Sequence, residues 1–263
     1  MGLSIISADE RMQATGIKGC LFGPPKIGKT YQLHYLDPEN TLFIDLEAGG
    51  LSVQDWPGDS IEVKDWVFAR NLACFLSGPN PAYRNDECYS QAHYDHCCSE
   101  LGDPSIMDKY QTIFVDSITV SGRLCLQWCK GQPEAFSEKS GKPDLRGKYG
   151  LHGQELIKWM TQLQYIKNKN VWLVGILQEQ TDDFGRIKYT PQIDGQKASL
   201  ELPGIVDEVI SYMPLTDDEG NPKRAFICQN PNPWGYPAGD RSGKLNLVEE
   251  PNLNKLMQKI KGE

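Results

Sequence analysis

The sequence predicts an α/β fold in which a mainly parallel β-sheet is flanked by helices. Short apolar segments typical of buried strands alternate with amphipathic helical patterns through the first two thirds of the chain. The 263 residues can bury one substantial core, and no long linker divides them. We therefore expect one domain over residues 17–263, preceded by an N-terminal tail over residues 1–16.

The elements follow from these patterns in chain order. Four apolar runs predict buried strands at residues 18–22, 41–46, 112–115 and 171–177. Helical patterns predict helices at residues 29–35, 65–77, 119–130 and 151–168. The last third changes character, because tight turns join three strand-like segments: residues 187–192, 208–214 and 224–229. These segments predict an antiparallel C-terminal edge.

Composition and charge exclude some classes of protein. No apolar run approaches the roughly 20 residues that span a bilayer, and the first residues lack the pattern of a signal peptide. We expect a cytoplasmic protein with no membrane partner, whose eight cysteines are reduced thiols. The formal net charge of −8 repels nucleic acid as a whole, so any binding to it must come from a local basic patch.

A phosphate-binding motif follows the first predicted strand. Residues 23–30, GPPKIGKT, match the pattern G-x-x-x-x-G-K-[ST] at every fixed position, although a chance glycine turn is the alternative. Backbone N–H groups would cradle phosphate oxygens, Lys29 would reach the β- and γ-phosphates, and Thr30 would ligate Mg²⁺. We expect a nucleoside triphosphate and Mg²⁺ as cofactors, with the nucleotide bound at Gly23, Pro24, Pro25, Lys26, Ile27, Gly28, Lys29, Thr30 and Tyr31. Nothing in the loop identifies the base, and ATP is what the resemblance given below implies.

Acidic residues at strand ends are candidates for the remaining chemistry. Asp116 ends the third apolar strand, where a carboxylate can hold Mg²⁺ through water. Its alternative role is a helix N-cap, although Ser117 could provide the cap instead. Glu47 follows the second strand, where a carboxylate could polarise a water for attack on the γ-phosphate. Asp45 is its rival, and a solvated loop acid is the alternative for this position.

These motifs carry a resemblance to a known superfamily. The order GPPKIGKT, FIDLEAG and TIFVDSITV resembles the RecA superfamily, which implies a RecA-like P-loop NTPase core with ATPase activity. The resemblance favours Glu47 over Asp45 as the catalytic glutamate, beside Lys29. It also implies that Gln178, after the fourth strand, senses the γ-phosphate; Gln180 is a second candidate, and an ordinary surface glutamine is the alternative.

Three later segments are similar to the phage-encoded P-loop nucleotide-binding family: residues 189–192, 202–209 and 240–244. Its best-understood branch is the short RecA-like single-strand annealing proteins of phage recombination. This similarity implies a homo-oligomer that binds single-stranded DNA with DNA-stimulated ATPase activity, in a host cytosol. A single-strand-binding protein is a further implied partner.

Two basic segments are candidates for the DNA-binding surface. Residues 139–149 read as a mobile glycine-containing loop that carries four cations and an aromatic ring: Lys139, Lys142, Arg146, Lys148 and Tyr149. The second segment offers Arg186 and Lys188, diluted by nearby acids. Two solvated loops are the alternative. Arg241 and Lys244 lie in a glycine-flanked turn and could reach a neighbouring subunit's γ-phosphate, or form an ordinary surface turn.

A cluster of cysteines and histidines lies within eleven residues: Cys88, His93, His96, Cys97 and Cys98. Sulfur and imidazole are ligands that Zn²⁺ prefers, but the paired spacing of zinc knuckles is missing and the segment 90–101 reads as a helix. Zinc binding is therefore left open.

Two other functions compete with the leading one. The first is a nucleotide-gated module that binds a protein partner, hydrolyses ATP weakly and does not touch DNA; the negative charge favours it. The second is a small-molecule phosphotransferase, for which the sequence shows no convincing arginine-bearing lid.

Overall fold

The computed structural model describes residues 16–47, 49–181, 185, 187–217 and 219–263. Within these ranges ten strands form one sheet, with the order β10-β8-β7-β1-β5-β4-β2-β3, while β6 pairs with β5 and β9 with β7. The strands are β1 Lys18–Gly23, β2 Thr41–Asp45, β3 Asp59–Glu62, β4 Thr112–Asp116, β5 Asn170–Thr181, β6 Ile187–Pro191, β7 Glu208–Thr216, β8 Pro222–Ile227, β9 Gly239–Asp240 and β10 Val248–Glu249.

Helices connect the strands and cover both faces of the sheet. The α-helices, numbered in chain order, are α1 Trp66–Ser77, α2 Gln91–Leu101, α3 Ile118–Cys129, α4 Leu145–Gln164, α5 Gln196–Ile205 and α6 Leu253–Lys261. Short 3₁₀ helices span Thr30–Tyr35, Gly50–Ser52, Pro104–Met107 and Pro133–Ala135. Among the described residues, no helix is both long enough and apolar enough to cross a membrane.

Alternation along the strands divides the core between the two faces. Phe22 packs in a large cluster with residues of α1 to α5, whereas its neighbour Leu21 packs on the other face with the 3₁₀ helix Thr30–Tyr35 and α6. Successive side chains of a strand point to opposite faces, so a strand buried on both sides must be apolar throughout. This is why the strands were visible in the sequence as continuous apolar runs.

The sheet is parallel from β3 through β2, β4, β5 and β1 to β7, and antiparallel beyond β7. The predicted fold class, including the antiparallel C-terminal edge, is confirmed. Gly23 of β1 pairs with Ile176 of β5, and Asp45 of β2 pairs with Asp116 of β4. The register therefore brings the loops after β1, β2 and β4 together at the carboxyl ends of the parallel strands.

Some elements differ from the sequence-based expectation. The predicted helix after the P-loop is a six-residue 3₁₀ helix, and β5 continues to Thr181 because its end forms a hairpin with β6. The helix predicted at 151–168 begins six residues earlier, at Leu145, because the Asp144 side chain caps it. Strand β3 and helices α5 and α6 were not predicted.

Candidate functional site

The loop after β1 has the backbone geometry that its glycines allow. A Cβ at Gly23 would lie 2.4 Å from the carbonyl oxygen of Tyr212 on β7, so the loop can leave the sheet this closely only without a side chain. Gly28 has φ +106°, a conformation that L-residues with a side chain rarely adopt. Both fixed glycines of the motif are therefore required by the shape of the loop.

Lys29 crosses the inside of this loop. It is buried, and its Nζ donates hydrogen bonds to the carbonyl oxygens of Gly23, at 3.1 Å, and Pro24, at 2.9 Å. Burial lowers the pKa of Lys29, and the nearby carboxylates of Asp116 and Glu47 act in the opposite direction. The ammonium group is thus held where the loop would enclose a phosphate.

Thr30 and Asp116 meet, as the predicted metal site requires. The Thr30 hydroxyl donates a hydrogen bond of 2.5 Å to Oδ2 of Asp116, which is only 3% exposed. Burial raises the pKa of Asp116 to about 7, and the hydrogen bond from Thr30 only partly offsets this. A hydroxyl and a buried carboxylate are hard oxygen donors, so this pair fits Mg²⁺, whose charge would favour the ionised carboxylate.

The structure separates the roles of the neighbouring acids. The Ser117 side chain accepts from the N–H of Val120 and caps α3, so Asp116 is not the cap. The Ser117 hydroxyl also donates a 2.5 Å hydrogen bond to Oε1 of Glu47. Asp45 instead accepts from the backbone N–H of Glu47 at 2.9 Å. Glu47 is therefore exposed, and its carboxylate is held by the hydroxyl of Ser117, the residue that follows Asp116.

Gln178 is half-buried on β5, two residues beyond Ile176, which pairs with Gly23 at the start of the loop. The Cα of Gln178 therefore lies about 7 Å farther along β5 than the Cα of Ile176, the residue that pairs with Gly23. Gln180, the second candidate, is exposed and farther along. The sensor role of Gln178 remains a prediction.

Arg241 and Lys244 lie at the opposite end of the strands, near the amino ends of β1 and β7. Arg241 forms an ion pair of 2.8 Å with Asp207, and Lys244 donates to the carbonyl oxygen of Ile260 at 2.7 Å. Arg241 follows β9, which pairs with β7 at Glu208, and Glu208 pairs with Gly19, four residues before the end of β1. Four residues of strand are about 13 Å. Neither cation therefore reaches the loop of its own chain, and a contact with a neighbour's phosphate remains a prediction.

The first candidate DNA segment is not one loop. Residues 145–149 form the first turn of α4, so Arg146, Lys148 and Tyr149 are presented by a helix; the expectation of a mobile loop there was wrong. The helix begins here because Asp144 caps it: the Asp144 carboxylate accepts hydrogen bonds from the backbone N–H groups of Arg146 and Gly147.

The other DNA candidates keep their positions as predictions. Lys139 and Lys142 are exposed in the preceding turn, where the N–H of Ser137 donates to the carbonyl of Lys142 at 2.8 Å. Lys188 is exposed on β6. Arg186 lies outside the described residues.

The zinc candidates are only partly brought together. In the described chain, His93 and Cys97 form a group with Cys74, which the sequence did not suggest. Cys88, His96 and Cys98 are not members of that group. His96 is exposed on another face of α2, because the adjacent position Cys97 points into the core.

Arg224 lies beside the P-loop, although no sequence pattern pointed to it. It stands on β8 opposite Pro214, and its Nη1 is 3.3 Å from the position that a Cβ on Gly28 would take. The guanidinium also hydrogen-bonds the buried Tyr212 phenol, which lowers the Tyr212 pKa against the larger, opposite effect of burial. Only the pairing of β7 with β8 identifies Arg224 as a neighbour of the loop.

A comparison with known protein families identifies the family of the chain. The family described as an AAA domain (AAA_24) matches residues 15–242. No curated protein matches the chain. A KaiC-like protein, PH0186, from the hyperthermophilic archaeon Pyrococcus horikoshii OT3 is similar in structure, with 12% identity, a TM-score of 0.38, and coverage of 81% of this chain and 77% of that one. The family match includes the P-loop, Glu47 and Asp116. The chain therefore belongs to the AAA domain family, as a P-loop protein that binds a nucleotide.

Proposed function

We propose that the protein hydrolyses ATP with Mg²⁺, and that this cycle controls its binding to single-stranded DNA during annealing or recombination. The observation that carries the ATPase proposal is the linked set of side chains at one sheet edge. Thr30 contacts Asp116, and Ser117 holds Glu47 beside them. This arrangement supports a proposal in which phosphate binding, metal binding and proton acceptance all occur around the same loop.

Each residue has a distinct task in the proposed hydrolysis. Lys29 exchanges its hydrogen bonds to loop carbonyls for phosphate oxygens. Thr30 and Asp116 hold Mg²⁺, which supplies positive charge to the β- and γ-phosphates when bound. Glu47 accepts a proton from the water whose oxygen attacks the γ-phosphorus, and ADP leaves with the electron pair of the broken bond. Gln178 contacts the γ-phosphate and reports its loss along β5.

The DNA-binding proposal rests on the basic start of α4 and on the sequence resemblance. Lys148 lies 4.8 Å from the centre of the Tyr149 ring, which is exposed, so a cation and an aromatic face are offered together. Such pairs suit backbone phosphates and stacked bases of a single strand. We propose that the protein works as a homo-oligomer in the cytoplasm of a phage-infected or lysogenic host, with a single-strand-binding protein as a further partner.

The test of DNA binding compares a double variant with a control and with wild type. Arg146→Ala combined with Lys148→Ala, at the start of α4, should weaken binding to a labelled oligonucleotide in low salt, and should reduce the salt slope by up to about 0.7 for each phosphate that the removed cations no longer neutralise. Lys64→Ala is the matched control, because Lys64 is an exposed lysine paired with Glu62 away from this segment. Equal binding by all three proteins would exclude this surface.

A second candidate function is favoured by the net charge of −8. The protein would then be a nucleotide-gated module that binds another protein and turns ATP over weakly. Turnover that Glu47→Gln leaves unchanged, together with no binding of oligonucleotides at low salt, would select this function over the first.

A further inference from the structure

A cysteine–histidine group lies between two helices, apart from the residues of the nucleotide site. The ligand atoms of Cys74, His93 and Cys97 all lie within 4.8 Å of one another. Both cysteines are fully buried and His93 is half-buried. Two thiols and one imidazole converging at this distance form the donor set that thiophilic cations prefer.

The helices bring these residues together by regular geometry. His93 and Cys97 are four residues apart on α2, so both lie on the face that packs against α1. Cys74 lies in the last turn of α1. A cation bound here would connect the end of α1 to the first half of α2.

The tautomer of His93 suits metal binding. Its Nε2 is 3.0 Å from Oδ1 of Asn71, an acceptor, so Nε2 carries the proton and the lone pair is on Nδ1. Nδ1 accepts a hydrogen bond of 2.8 Å from the backbone N–H of Tyr89. Metal-binding histidines commonly donate their second nitrogen to a fixed acceptor in this way, which orients the ring. Asn71 is one turn before Cys74 on α1.

We propose that Cys74, His93 and Cys97 bind a thiophilic divalent cation, Zn²⁺, in a structural role that joins α1 to α2. On binding, the two thiols release their protons to solvent and form two Zn–S bonds. Nδ1 of His93 gives up the hydrogen bond that it accepts from the Tyr89 N–H and binds the metal through the freed lone pair. No electron is transferred. A water completes the four ligands that Zn²⁺ favours. This proposal is independent of the proposed ATPase function.

The competing explanation is that the two cysteines only fill space. Cys125 and Cys129, which lie four residues apart on α3, show this case, because both are fully buried and neither belongs to a ligand group with a histidine among the described residues. They serve as an internal comparison. A site is distinguished from packing by the third, nitrogen ligand.

The experiment measures metal binding by the full chain. Protein freed of metal with a chelator is titrated with Zn²⁺, and with Co²⁺ as a coloured probe whose thiolate charge-transfer absorption reports sulfur ligands. We expect about one bound metal ion per chain. Cys98→Ser and Cys125→Ser should retain this stoichiometry, while Cys97→Ser removes one of the two thiolates and should therefore weaken the charge-transfer band and bind at least about tenfold more weakly.

A second variant keeps the test decisive if Cys97→Ser does not fold. His93→Gln changes a half-buried residue and should also weaken binding at least about tenfold, with binding of a fluorescent ATP analogue as the measure of an intact fold. Metal binding would be overturned if the wild-type chain took up neither ion, or if Cys97→Ser or His93→Gln bound as tightly as Cys98→Ser.

Discussion

Replacing Asp116 by asparagine should stabilise the metal-free protein more at pH 8 than at pH 5. Burial raises the pKa of this carboxyl from 3.8 to about 7 in the folded state. Between these values the folded chain holds a proton that the unfolded chain has released, so stability is lost as the pH rises from about 4 to about 7. Asparagine cannot ionise and therefore avoids that loss.

The magnitude follows from the same shift. Each pH unit over which only the folded state holds the proton corresponds to about 1.4 kcal/mol. Over the roughly three units concerned, the upper limit is about 4 kcal/mol at pH 8. The pKa of about 7 already includes the lowering effect of the hydrogen bond from Thr30. About two of these units lie above pH 5, so Asp116→Asn should add about 2–3 kcal/mol more to the free energy of unfolding at pH 8 than at pH 5.

Urea denaturation at pH 5 and pH 8 in the presence of a chelator measures this difference. Asp86→Asn is the control, because the Asp86 side chain is 70% exposed and its partner Arg84 is charged at both pH values, so its removal should affect stability alike at pH 5 and pH 8. Added Mg²⁺ should narrow the gap at pH 8 by stabilising only the wild type. An Asp116→Asn gain that is absent at pH 8, or equal at pH 5, would refute the assignment of a buried carboxyl kept for metal binding.

Three further results are expected. Lys29→Ala should abolish measurable binding of a fluorescent ATP analogue, because the buried cation of the loop is removed; retained affinity would contradict the site. Arg224→Ala should weaken that binding about tenfold, the effect of one charge-assisted hydrogen bond, whereas Arg241→Ala should leave binding unchanged in dilute protein; equal effects would remove Arg224 from the site. Ser117→Ala should lower kcat about tenfold with little change in KM, since it frees the Glu47 carboxylate without touching the phosphate cradle; a change in KM alone would show that Ser117 acts in binding.

Sequence patterns identified the parts of the molecule whose causes are local. The loop at residues 23–30 was visible because its backbone requires glycines at fixed places, and β1, β2 and β4 were visible because strands buried on both faces are apolar throughout. Ser117 was recognisable as a possible helix cap for the same reason. These features need only a few consecutive residues.

Features that depend on distant pairing were not visible. Arg224 reaches the P-loop only through the pairing of β8 with β7, and Cys74 joins His93 only because α1 packs against α2. The early start of α4 was missed because its glycines and lysines resemble a loop, while the decisive signal, the Asp144 cap, is a single residue. Helix α6 was missed although its cap Asn252 was also a local signal.

The most direct test of the proposed function is the ATPase rate with and without single-stranded DNA, measured on wild type, Lys29→Ala and Glu47→Gln. We expect wild-type turnover that rises with DNA, no turnover in Lys29→Ala, and retained nucleotide binding with turnover reduced at least about 100-fold in Glu47→Gln. Turnover in Glu47→Gln equal to wild type, with no response to DNA, would contradict both the water-activating role of Glu47 and the coupling of hydrolysis to DNA.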